Sequence, residues 1–309
     1  MSWRPGANRE ALEARARLLH GIRAFFMARG VLEVETPLHC RAGNTDPAIE
    51  SFRVCDGGYL HTSPEFAMKR LLAAGSGDIF QICKVFRRGE AGRHHNPEFT
   101  LLEWYRLGFD DRRLADEVVT LIETLAGQSL PLHRTSYRQL FIEALGIDPL
   151  SADVESLAAA ADAAGLHPGG GMSRNDWLDL LLSHCITPGF PAGRLTVVSD
   201  YPASQAALAR LRPDGETAAR FEVYWGALEL ANGYHELTDG AEQRRRIAAE
   251  QAERRRRGMP PVRADAHFMA AIDAGLPECA GVALGVDRLL MKLGGAGHIG
   301  EVIAFTDTA

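Results

Sequence analysis

Apolar positions follow two rhythms along this chain, and the change between them marks its organisation. From Asn8 to Arg29, Leu12, Leu19, Ile22 and Phe26 recur near 3.6-residue spacing, which predicts an amphipathic helix with Gly30 as its C-cap. The following VLEVETP reads as a short strand stopped by Pro37, which has no N–H to give a sheet ladder. Two more strands, Gln81 to Arg87 and Glu98 to Arg106, flank a polar loop rich in glycine and histidine. The second of them sets carboxylates and aromatics in alternation. From Asp110 to about Arg194 the rhythm turns helical and Ala/Leu-rich, broken at Gly127, Gly146, Pro149 and the PGGG run at Pro168. Strands return as LTVVSDYP, RFEVYWG, ALELANGYHEL and, near the end, HIGEVIAF. This order predicts an α+β fold: one domain over residues 1–309, its mixed, mostly antiparallel sheet flanked by helices and its core interrupted by a helical insertion at about 110–194.

Composition narrows the picture a little. Hydrophobic residues make up 46% and charged residues 24%, ordinary for a soluble enzyme, and a net charge of −6 speaks against a chain that wraps nucleic acid. No apolar run is long enough to span a membrane, and the start has no signal-like apolar core, so a cytoplasmic protein is expected. The five cysteines are scattered without a C-x-x-C pair, which favours reduced thiols over a zinc site or a disulfide framework. The run Gly240 to Gly258 predicts a charged helix, either a solvated face with internal Glu–Arg pairs or a basic patch for an acidic partner. His94 and His95 are adjacent on a loop and lack a third ligand at a recognisable spacing, which makes them poor metal ligands. Neither GxxxxGK[ST] nor a strand-borne GxGxxG occurs, so any nucleotide must be held by another architecture.

Candidate chemistry collects in the strands. The hairpin from Phe86 to Arg106 (FRRGEAGRHHNPEFTLLEWYR) can hold a guanidinium over a phosphate and turn a carboxylate towards an amine. Further on, a two-residue loop at Gly226–Ala227 would set Tyr224 opposite Glu229, with Glu222 one diagonal step away on the same face. Two carboxylates that close repel unless a cation joins them, and Mg²⁺ bridging nucleotide phosphates would serve.

Three segments in order resemble the motifs of the class II aminoacyl-tRNA synthetases, in the version seen in lysyl enzymes. GVLEVETP (Gly30 to Pro37) resembles motif 1, the dimer-forming helix and strand. Phe86 to Glu90 followed by His95-Asn96-Pro97-Glu98-Phe99-Thr100 resembles motif 2, and GVALGVDR (Gly281 to Arg288) resembles motif 3. The likeness covers nearly the whole chain and is weakest in the helical segment. It implies formation of an aminoacyl-adenylate from ATP with Mg²⁺, and a homodimer. By the same resemblance, Arg87 holds the α-phosphate and the amino acid carboxylate, and Arg288 the γ-phosphate beside an accommodating Gly285. Phe99 stacks on adenine, Asn96 and Leu230 line the nucleotide site, and Glu222 and Glu229 bind the metal. Ser63, Pro64 and Glu65 of TSPE contact the amino acid, as do Asn232 and Tyr234. Glu236, with Tyr105 opposite, pairs a side-chain ammonium and so selects lysine-like substrates.

Two departures alter these expectations. The motif 2 glutamate expected two residues after the arginine is replaced by Gly89, so the adenine contact falls to Glu90 or to loop backbone. Ala283 stands where the lysyl enzymes have glycine, and its methyl would disfavour α-lysine. Motif 1 begins at Gly30, leaving no room for an anticodon-binding OB domain before it, and little follows motif 3. That layout, with Ala283 and the strand Tyr201-Pro202-Ala203-Ser204-Gln205, resembles the elongation factor P–lysine ligases. Their likeness implies transfer of lysine, preferentially (R)-β-lysine, to a lysine side chain of elongation factor P, and speaks against tRNA as a partner. A different acceptor, or a catalytically inactive paralogue acting as a regulator, are the alternatives; the presence of both Arg87 and Arg288 weighs against the second.

Overall fold

The computed structural model describes residues 3–306 except Asp56 and Gly170, so one glycine of the predicted break at Pro168 and both ends of the 1–309 domain lie outside the described residues. Helix α1 (Arg9–Met27) starts where the Asn8 side chain accepts from the Ala11 N–H. The C-cap is Ala28, not Gly30 as the sequence suggests, and Gly30 turns the chain two residues later with a left-handed φ of +68°. The buried stripe of α1 is Leu18, Ile22, Phe25 and Phe26, whereas Leu12 is 40% exposed, so the apolar face is turned from the predicted one. Then come β1 (Leu32–Glu33), β2 (His39–Cys40), β3 (Tyr59–Leu60) and α2 (Glu65–Ala73). The predicted hairpin follows as β4 (Ile79–Phe86) and β5 (Glu98–Leu107), and α3 (Asp111–Ala126) closes this half.

The segment expected to be helical throughout is not. It contains α3 and a strand, β6 (Leu132–Ser136), before α4 (Tyr137–Leu145), α5 (Val154–Ala163) and α6 (Arg174–Leu181). Leu132 to Ser136 pairs in parallel with β7 (Leu195–Pro202) and forms the sheet edge, and α3 buries Leu114, Val118, Leu121 and Ile122 in the main core. Helices α4 to α6 pack a second core against Val198 and Tyr201 of β7. The chain ends through β8 (Thr217–Trp225), β9 (Leu228–His235), α7 (Gly240–Arg256), α8 (Ala266–Gly275), β10 (Cys279–Gly285) and α9 (Val286–Gly294).

Two predicted strands are absent. Within HIGEVIAF, residues Ile299–Glu301 form a single 3₁₀ turn whose start is capped by His298. Ile299, Val302 and Ile303 are the buried positions, a spacing of three and four that suits a helical turn and not a pleat. Likewise β7 stops at Pro202, and Ala203–Gln205 is a 3₁₀ turn that lets Gln205 donate to Asp179 at 2.7 Å.

The eight-stranded sheet runs β1-β4-β5-β10-β9-β8-β7-β6, antiparallel through its centre and parallel at the two edge pairs. Helices α1, α3 and α9 cover one face of it. There Phe26 stacks on Phe80 with ring centroids 4.6 Å apart and meets the edge of Trp104 at 5.2 Å. Asp287, in the first turn of α9, accepts from the Thr100 N–H at 2.6 Å and pairs with Arg15 of α1, which ties helix to strand behind the opposite face. Phe26→Ala is expected to cost about 3–5 kcal/mol in urea unfolding, because the cavity opens where three rings meet.

Candidate active site

Period-two alternation builds the site on the uncovered face of the sheet. In β5, Leu102 and Trp104 enter the helical core, which leaves Leu101, Glu103 and Tyr105 on the other side. In β10, Ala280, Val282 and Leu284 go to the core, and Gly281, Ala283 and Gly285 to the site. A cavity of about 320 Å³ lies over this face. Its walls hold Arg87, Glu90, Asn96, Phe99, Glu229, Leu230, Gly285 and Arg288 at one end, with Ser63, Glu65, Tyr105, Asn232, Tyr234, Glu236 and Ala283 at the other. Of the residues singled out from the sequence, Pro64 and Glu222 do not line it. Pro64 caps α2, and Glu222 is held behind the wall.

The acidic end is more crowded than the sequence suggests. Lys69 of α2, 1% exposed, sits 2.7 Å from Glu65 Oε1 and 2.6 Å from Glu236 Oε2. Burial works against its charge, but Glu236 and then Glu65 raise its pKa well above that of a free lysine. Glu103, 2% exposed, accepts from Ser63 Oγ at 2.6 Å and from the Tyr105 hydroxyl at 2.7 Å. Tyr105 therefore serves Glu103, and not Glu236 as the sequence suggests. Burial, reinforced by Glu65, pushes the Glu103 carboxyl up to about 8. Burial also raises Glu236 to about 7, with Lys69 holding it down and Glu65 adding repulsion. Three carboxylates thus share one internal cation. Glu236 Oε1 and Asn232 Oδ1 are buried without a hydrogen-bond donor, two acceptors left open at the cavity wall.

At the other end the arginines are spread along the cleft. Arg87 donates to the Thr62 carbonyl at 3.3 Å, lies 3.7 Å from Glu90 and has its guanidinium 5.1 Å from the Phe99 ring centroid. Arg288 donates to the Glu229 carbonyl at 3.0 Å, to its carboxylate at 3.3 Å and to His95 Nε2 at 2.6 Å. Burial and then the Arg288 charge lower the His95 pKa, which keeps that nitrogen an acceptor. Trp225 pairs with Leu228 and Tyr224 with Glu229, so the two-residue loop at Gly226–Ala227 forms as predicted. A bulge follows between Val223 and Tyr224, and Leu230 takes up the extra position. Glu222 accepts from Arg220 at 2.6 Å and from the Tyr224 hydroxyl, which fixes both its oxygens. Burial and the nearby Glu222 raise the pKa of Glu229, against the pull of Arg288. No group of three or more metal-ligating side chains occurs among the described residues.

Lys69, Glu103 and Gly281 are the site residues that sequence reasoning missed. Lys69 and Glu103 sit in TSPEFAMK and TLLEWY, next to residues that were chosen, and their burial is the signal that separates them. Gly281 pairs with both Tyr105 and Tyr234 across the sheet. A Cβ there would lie 2.2 Å from the Tyr105 ring and 2.4 Å from Glu236 Oε1, so its bare backbone is what lets these two groups close over it. Gly281→Ala is expected to lose about 1–3 kcal/mol in urea unfolding, the usual penalty for overpacking a tight site.

Comparison with known proteins agrees with this geometry. The family model for class II tRNA synthetases (D, K and N) matches residues 1–309. Among curated proteins, the elongation factor P–(R)-β-lysine ligase of Klebsiella pneumoniae strain 342 is 46% identical over 99% of this chain and 97% of its own length. The protein of the same name from Vibrio cholerae is 47% identical over 98% and 97%. That from Pasteurella multocida is 45% identical over 98% and 97%. Matched from end to end in sequence, and carrying both motif arginines in one cleft with the buried carboxylates, this chain belongs to the class II tRNA synthetase family.

Proposed function

We propose that this protein uses ATP to activate a lysine, (R)-β-lysine by the names of its relatives, as the aminoacyl-adenylate and transfers it to a lysine side chain of elongation factor P. One observation carries the substrate class: the single buried Lys69 pairs with Glu65 and Glu236, and a third carboxyl, the buried Glu103, lines the same cavity. Burial without full compensation costs free energy, and a ligand bearing two ammonium groups removes that cost. Lysine and β-lysine each carry two. A neutral side chain would leave Glu236 Oε1 without a partner.

In this reading the substrate carboxylate lies towards Arg87, and one of its oxygens forms the bond to the α-phosphorus as the bond to pyrophosphate breaks. Arg87 and Arg288 stabilise charge that spreads over the phosphates, and the fixed strands supply alignment. The acceptor amine, as its free base, then bonds to the adenylate carbonyl carbon, AMP leaves with the electron pair, and the amine proton passes to solvent. Glu229 faces the cleft, whereas Glu222, expected from the sequence as its metal-binding partner, is engaged by Arg220 and Tyr224; Mg²⁺ would therefore be held by Glu229, with most of its ligands from phosphate and water, and would neutralise phosphate charge. Ala283, which pairs with Glu103 and Asn232, narrows the floor under the amino acid, in keeping with preference for a β-amino acid. Pairing of two copies through α1 and β1 agrees with the exposed Met27, Leu32 and Leu38. No described helix is long and apolar enough to cross a membrane, and a cytoplasmic setting suits a translation-factor substrate.

The test of this function is the intact mass of elongation factor P after incubation with the protein, MgATP and (R)-β-lysine. A gain of one lysyl unit that disappears without ATP is expected. Pyrophosphate exchange without mass gain would keep the adenylate and reject the acceptor. Glu236→Gln is expected to reduce lysine-dependent exchange about 10²-fold, the scale of one broken buried charge pair; near-normal exchange would reject the pocket assignment.

The raised carboxyls also predict a pH dependence. Glu103 near 8 and Glu236 near 7 lie above an unfolded glutamate, about 4.3, so the folded protein holds more protons than the unfolded chain across that window. Their contribution to stability is complete at low pH and is lost as pH rises through the folded values. The melting temperature of the free protein is expected to fall from about pH 6 to about pH 8 relative to Glu103→Gln. The increment given by (R)-β-lysine should grow over the same range, since the ligand's charge replaces the protons.

A further inference from the structure

A second cleft, about 540 Å³, opens beside the active-site cavity, and Asn44, Thr62, Ser63 and Glu65 line both. Its outer wall carries Arg41, Arg70 and Arg263, all exposed and none with a carboxylate at ion-pair distance among the described residues. On α7, the segment whose sequence suggested a basic patch, Arg244 pairs with Asp273, Arg245 and Arg246 with Glu242, and Arg256 and Arg257 with Glu253. That run is largely neutralised, Arg255 apart. The acids of the second cleft are engaged elsewhere: Glu65 holds Lys69, and Asp265 accepts from the N–H groups of His267 and Phe268 at the start of α8. In a chain with a net charge of −6, three arginines without a carboxylate at ion-pair distance among the described residues thus stand round one cleft, and that cleft adjoins the active-site cavity.

We propose that this cleft is the docking surface for the acceptor protein: an acidic face of the acceptor meets Arg41, Arg70 and Arg263, and its target lysine reaches the adenylate past Thr62 and Ser63. The proposal rests on the reading of the acceptor as a protein. Positive charge here opposes entry by an isolated lysine side chain, so the carboxylates of the acceptor provide the attraction. They also set the orientation, since charge complementarity governs encounter and register more than intrinsic affinity. The amino acid and ATP bind over the sheet face and make no use of these three arginines.

The experiment compares wild type with Arg41→Glu, Arg263→Glu and the double variant, both positions being exposed and outside the catalytic cavity. Three readouts are taken: lysine-dependent pyrophosphate exchange, discharge of the adenylate by hydroxylamine, and transfer to elongation factor P. The KM for elongation factor P is expected to rise about tenfold in the double variant with the other two readouts unchanged. Raising salt from about 50 to about 300 mM should weaken wild-type transfer and affect the double variant much less. An unchanged KM for elongation factor P overturns the proposal, and so does parallel loss of exchange, which would make the arginines structural. Inhibition of transfer by tRNA that is relieved in the double variant would reassign the cleft to nucleic acid. A wild-type protein that exchanges and discharges to hydroxylamine but modifies no elongation factor P removes the acceptor reading itself, and this proposal with it.

Discussion

The ammonium of Lys69, sealed between Glu65 and Glu236, is the interaction on which the site depends. Without it, three carboxylates would face one another in a dry pocket, and they would either take up protons or push α2 away from the sheet. With it, the repulsion is reduced and not abolished. A buried ion pair is a poor source of stability by itself. Here its effect is to leave the pocket short of positive charge in the free protein.

That electrostatic arrangement is possible only because the sheet keeps its two faces apart. Phe26, Phe80 and Trp104 fill one side, while Glu103 and Tyr105, alternating with Trp104 on the same strand, serve the other. Gly281 removes one side chain where two large groups must meet, and Asp287 anchors the start of α9 so that Arg288 points along the cleft. Strands carry Glu103, Tyr105, Asn232 and Tyr234 of the acidic end, and α2 carries Glu65 and Lys69. The loop between β4 and β5 carries His94 and His95 alone against Arg288.

Charge is organised on a larger scale too. Most arginines of α7 are spent within their own helix and its neighbours, whereas the three at the second cleft have no carboxylate at ion-pair distance among the described residues. The sequence run most conspicuous for its basic residues is thus the less available to a partner. Residues scattered at positions 41, 70 and 263 make the surface that is available.

Much of the architecture was legible because it depends on short-range patterns. The first helix, the β4–β5 hairpin, the loop at Gly226–Ala227 and the strand containing Asn232 and Tyr234 follow from periodicity and turn chemistry within a few residues. The same is true of where the motif arginines stand, Arg87 directly after β4 and Arg288 in the first turn of α9. By itself the sequence determined the central strands β4, β5, β8 and β9 and which residue types line the cleft, but not β6 or the turn in HIGEVIAF. Only tertiary structure decided how those residues are paired. Lys69 is ordinary in its helix until α2 is laid beside β9; Tyr105 could have served Glu236 until Ser63 completed the shell around Glu103; and HIGEVIAF has strand-forming residues but buries positions on a helical turn. Pairing and burial belong to elements distant in the chain, and the pKa values that give this pocket its chemistry arise from burial and neighbouring charge, neither of which is a local property of sequence.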